Sequence, residues 1–142
     1  MKARDLRIGN YVNGLYGGIM KVAGIKVYTD EKCDVWLKKP DYSISGVFMI
    51  DTINPIKLTE EWFLKFGFNY GRISGNFVWF TKPVNNKNHH GVFKIIVNPE
   101  TGFFLNERVM VRLEYVHQLQ NLYFVLTGEE LKETKISKNA KA

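Results

Sequence analysis

The stretch Tyr115–Leu131 reads YVHQLQNLYFVLTGEEL, and the placing of its polar residues decides how the rest of the chain is read. On a helical projection of about 100° per residue, Val116, Leu119, Leu122, Tyr123 and Leu126 share one arc of about 120°. His117, Gln118 and Asn121 lie on the far side, with Gln120 and Phe124 between, beside His117. The pattern predicts an amphipathic helix whose apolar stripe packs on a sheet while its amides face water. His117, Gln120, Asn121 and Phe124 also fall side by side at helical spacing. An exposed aromatic among amides suits a partner-binding patch. The plainer alternative is a core helix with a wet outer side, and both stay open. Gly128 is placed to stop the helix.

The segments before this helix read mainly as strands. LRIGNYVN at 6–13 is a short strand entering a turn. GGIMKVAGIKVYTD at 17–30 alternates strictly, and its internal glycine suggests a bend or bulge. CDVWLKK and VFMIDTINPI are further short strands that end near Pro40 and Pro55. LTEEWFLKFGF then predicts a helix. Thr59 serves as N-cap, Glu60 and Glu61 sit at the positive end of the dipole, and Gly67 is the stop. NFVWFTK, GVFKIIV and FFLNERVMV follow as three strands of an antiparallel meander, with PVNNKNHH and NPETG between them. The expected fold is α+β. A small β-barrel-like half of the Src-homology-3 type (residues 1–55) precedes a helix–meander–helix half (56–131). Together they form one compact domain, and a basic tail (132–142) follows.

The chain has 142 residues, 45% hydrophobic and 14% aromatic, which favours a folded globular protein over disorder. The net charge is +6. Lys132, Lys135, Lys138 and Lys141 against Glu133 place half of that excess on the tail, where it attracts polyanions or merely solubilises a frayed end. No apolar run approaches the ~20 residues of a membrane span, and the first residues lack the pattern of a secretory signal. Cys33 is the lone cysteine, so no internal disulfide forms. A cytosolic, reducing compartment is the expected setting.

LRIGNYV, LTEEWFLKFGF and YVHQLQNLYFVLTGEEL occur in that order, and with them the chain resembles a family of uncharacterised small proteins of Bacteroidetes, their phages and mobile elements. The resemblance covers the chain to about residue 131. It implies a bacterial cytoplasmic setting and a phage-encoded product, and it brings no catalytic or binding residue with it.

Several chemistries find little support. One cysteine cannot supply a thiolate zinc set, and the adjacent His89 and His90 would point to opposite sides of a strand. No nucleophile elbow or phosphate loop occurs. Cys33 beside Asp34 and near Glu31 should hold its proton. No catalytic residue, metal or cofactor is expected.

The meander offers a better candidate. Alternation puts Phe77 and Trp79 with Phe93, Ile95, Val97, Leu105 and Val109 on the core face. The other face then carries Phe80, Lys82, Lys94, Phe104, Arg108 and Arg112. Aromatics among basic groups can stack bases and hold phosphates. The alternative is that part of this face packs while its cations are solvated. The leading expectation is a non-enzymatic module that binds an anionic ligand, either nucleic acid or a nucleotide-type molecule such as a host signalling nucleotide. The second is a protein-interaction module acting through His117, Gln120, Asn121 and Phe124. It would be a phage inhibitor of a host protein or a small assembly component.

Overall fold

In the computed structural model the described residues are 1–14, 18–29, 31–39, 45–72, 78–87, 90–98, 102–105 and 111–134, with the backbone alone at 72, 98, 104, 105 and 111. They divide into two compact units, Met1–Lys57 with Tyr115–Asn121, and Leu58–Glu114 with Leu122–Ala142.

The first unit holds an antiparallel sheet in the order β1 (Tyr11–Asn13), β2 (Ile19–Val27), β3 (Cys33–Lys38), β4 (Ser45–Met49). The register of β2 on β3 shifts between Val22 and Gly24, the bulge that the internal glycine predicts. The shift lets Val22 and Ile25 face the same core although their numbers differ in parity. Leu6, Val12, Met20, Val22, Cys33, Val35, Leu37, Ile50 and Ile53 form that core, with Ala3, Ile25 and Phe48 against it.

The barrel expectation is corrected here. The described strands form two open antiparallel sheets, the structure is mostly β, and no barrel closes. Beyond β4 the chain makes a short 3-10 turn, Ile50–Thr52, then a single bridge from Asn54 to Asn13 of β1. Pro55 follows at once and has no N–H to extend the ladder.

The second unit begins with α1 (Glu60–Lys65). Thr59 stands at the N-cap in extended conformation, but its side chain makes no capping bond; the acidic Glu60 and Glu61 remain as the favourable first-turn feature. Gly67 ends the helix at φ +82, a conformation that glycine adopts without a Cβ penalty. The expected three-stranded meander is in fact five-stranded, in the order β5 (Asn69–Arg72), β6 (Val78–Asn85), β7 (His90–Asn98), β8 (Gly102–Leu105), β9 (Val111–Leu113). FFLNERVMV is not one strand. It contributes to two strands that pair antiparallel, Phe103 opposite Leu113. Asn106, Glu107 and Arg108 interrupt its hydrophobic run. Trp62, Phe63, Phe66, Phe68, Phe80 and Phe93 are buried in this unit. Phe63 stacks on Phe80 at 4.7 Å and meets Phe68 edge-on at 5.3 Å. Such ring pairs each add ~0.5–1.5 kcal/mol beyond area burial.

The helix α2 (Val116–Thr127) contributes its residues up to Asn121 to the first unit and the rest to the second. Gln118 reaches back to accept from the Tyr115 backbone N–H at 3.0 Å, the reciprocal half of a capping box. Gly128 follows at φ +78. No described helix is long and apolar enough to cross a membrane.

Candidate ligand-binding face

Strand pairing in the second sheet fixes which side chains share a face, because directly opposed residues in an antiparallel pair project to the same side. Phe80 pairs with Ile95 and Lys82 with Phe93. Phe80 and Ile95 are fully buried. Phe80 therefore belongs to the aromatic core, and its expected place on a binding face is wrong. Lys82 shares the core side. Its ammonium donates to the Phe66 carbonyl at 3.0 Å, where the end of α1 leaves acceptors free. Burial pushes the Lys82 pKa down, against the opposing pull of the Glu129 carboxylate. Lys82 closes a helix end and is not a free cation for a ligand.

The opposite face carries a different set. One backbone row runs Gly71, Trp79, Ile96, Phe104, Arg112 across the five strands, and a second runs Asn69, Thr81, Lys94. Four strand spacings of ~4.8 Å give the first row a reach of ~19 Å. Trp79 is the residue missed by alternation alone. Its indole lies across Gly71, occupying the place a Cβ there would take. The Lys94 ammonium sits 4.1 Å from the Trp79 ring centroid, a close cation–π contact. Both side chains are half-buried, and Arg112 is exposed with a guanidinium nitrogen 3.8 Å from Glu114. Lys94 and Arg112 thus fall on this face as expected. Phe104 holds a register position in the first row, its side chain being outside the described residues. Arg108 lies outside them altogether.

The expected patch on α2 is overturned in its core. Gln120 is fully buried and His117 is 4% exposed. The Gln120 side chain accepts from the Tyr11 backbone N–H at 2.9 Å and donates to the Gly9 carbonyl at 3.1 Å. Asn121, half-buried, accepts from Asn10 Nδ2 at 2.8 Å and donates to the Asp5 carbonyl at 2.9 Å. These amides serve backbone and side-chain groups of residues 5–11 rather than a partner. His117 stacks on Tyr115 at 5.9 Å, and its Nδ1 is buried without a hydrogen-bond partner. Burial holds its pKa below the usual value, against the pull of Asp5. Phe124 is exposed, as are Val125 and Leu126 beside it.

Cys33 is buried and free, and its thiol pKa is raised, first by burial and then by Asp34. Among the described residues no three His, Cys, Asp or Glu stand close enough to share a metal ion. A shallow cavity of about 480 Å³ in the first unit is lined by Lys2, Ala3, Arg4, Val27, Thr29 and Glu31. No family model, curated protein or solved structure matches the chain.

Proposed function

We propose that the protein is a non-enzymatic binding module, acting in a bacterial cytoplasm, for an anionic ligand of the single-stranded nucleic-acid type. The observation that carries this reading is Trp79, its indole over Gly71 and Lys94 against its ring, on the sheet face that also presents Arg112. A tryptophan with cations beside it offers a π-face for a base and charge for the flanking phosphates. Lys94 already contacts the ring, so a strand that draws its ammonium to a phosphate frees that ring for stacking. A row about 19 Å long on an open sheet suits an extended strand better than an enclosed mononucleotide.

The test is fluorescence anisotropy with a labelled single-stranded oligonucleotide of about a dozen nucleotides, long enough for one such site. Trp79→Ala should weaken binding by ~1–3 kcal/mol, the usual value of one base–aromatic stack. Two phosphate contacts predict a log–log salt slope of about −1.4, which Lys94→Gln with Arg112→Gln should largely remove. Binding unchanged in both variants sinks the proposal.

A protein partner, such as a phage target in the host, is the second reading. The observation that favours it is the exposed run Phe124, Val125, Leu126, with Val125 74% exposed on a helix. Its test is a pull-down from bacterial lysate with the parent and Val125→Asp side by side. A partner retained equally by both counts against this surface.

A further inference from the structure

We infer that β4 is a self-association edge, at which two copies of the chain pair antiparallel about a two-fold axis through Val47. A sheet edge presents unpaired N–H and C=O groups, and natural proteins blunt edges with charge, proline, short length or a cover. Among the described strands the other three edges carry such devices. β1 has three residues; Tyr11 N–H is taken by Gln120 and Asn13 by Asn54. β5 has four residues and ends in Arg72, and β9 has three and contains Arg112. β4 is the longest of the four at five residues, Ser-Gly-Val-Phe-Met, with no charge and no proline, although its last carbonyl, at Met49, accepts from the Thr52 hydroxyl at 2.7 Å.

The sequence of β4 is self-complementary, and this argues for a second copy rather than a foreign strand. With Val47 opposite its own copy, Phe48 falls opposite the other chain's Gly46, and Met49 opposite its Ser45. Each large side chain meets a small one. On one face Trp36 pairs with Val47, and they are 40% and 51% exposed. The two-fold axis would join them to their copies in one continuous apolar stripe, removing surface that now meets water. A contact confined to one edge falls below the ~1,200 Å² of standard interfaces, so the dimer is weak and concentration-dependent.

Sedimentation velocity of the full chain across the micromolar range tests this. The parent should shift from monomer toward dimer as concentration rises. Val47→Lys, whose ammonium would be trapped against its copy, should raise the dissociation constant by at least about tenfold. Circular dichroism checks that this variant folds. Independently, Val47→Cys should form an intermolecular disulfide under mild oxidation. Val27→Cys, equally exposed in the same sheet, should not. A parent that stays monomeric throughout overturns the inference, even if an added extended peptide binds the edge. So does a dimer that survives Val47→Lys, or one that Val47→Cys fails to cross-link, because the copies then meet elsewhere.

Discussion

The Gln120 amide offers a sharp measurement of how α2 is seated. The side chain is fully buried, accepting from Tyr11 N–H at 2.9 Å and donating to the Gly9 carbonyl at 3.1 Å. Gln120→Leu keeps the volume nearly constant, so cavity formation contributes little. It leaves one backbone donor and one backbone acceptor without this partner, at ~1–3 kcal/mol each when buried. Leucine recovers part of that through apolar burial, about 1 kcal/mol. The net destabilisation is therefore about 1–5 kcal/mol. With a urea m-value near 2 kcal/mol/M the midpoint should fall by about 0.5–2.5 M. Gln118→Leu is the control on the same helix. Gln118 is half-buried and accepts from the Tyr115 N–H of its own helix start at 3.0 Å, so its loss should cost about 0.5–1 kcal/mol. Urea denaturation followed by far-ultraviolet circular dichroism reads both. A Gln120→Leu variant as stable as the parent, or no less stable than Gln118→Leu, would mean that water satisfies the amide and that the seating of α2 described above is wrong.

Three further outcomes follow from the buried groups. His117 has its pKa held below the usual value by burial. The unfolded chain therefore binds the proton more readily, and stability should fall as pH drops from the ordinary histidine pKa of ~6.5 toward the lower folded value; His117→Phe should flatten urea midpoints measured between neutral and mildly acidic pH, and an unchanged slope would contradict this. Cys33, buried with a raised pKa, should resist a thiol-specific chromogenic reagent in the native protein and react fully in denaturant, whereas rapid native labelling would place it at the surface. Gly71→Ala would set a Cβ where the Trp79 indole lies, so it should displace that ring, alter the tryptophan emission and weaken oligonucleotide binding together.

Much of the chain was legible because local signals and tertiary demands agreed. The alternation of β2, its glycine bulge, and the limits of α1 between Thr59 and Gly67 all follow from short-range sterics. What failed lay where two answers satisfy the same local rule. The run Phe77, Val78, Trp79, Phe80 is apolar on both parities, so alternation cannot say which parity faces the core. The hairpin supplies the missing signal. The β6–β7 pairs keep one unbroken register from Val78↔Val97 to Asn85↔His90. That register puts Phe80 against Ile95 and turns Trp79 to the other face with Lys94. Lys82 then enters the core side, tolerable because the Phe66 carbonyl receives its ammonium.

The same ambiguity governs α2, with consequences for function. Its apolar arc and its buried arc differ by a rotation of roughly 80° on the 3.6-residue wheel. Val116, Leu119 and Tyr123 are buried as expected, but His117, Gln120 and Thr127 join them while Val125 and Leu126 are exposed. A hydrophobic stripe cannot reveal that rotation, because it counts an amide as a group that wants water. Inside a protein an amide wants only partners, and backbone groups of residues 5–11 supply them. Gln120 and Asn121, which looked like part of a recognition patch, are thereby used up in holding the fold. Leu126, which looked like core, is left as surface. Any protein partner of this helix would meet Phe124, Val125 and Leu126 rather than His117 and Gln120. A substitution scan that targeted only the polar set would read loss of folding as loss of binding.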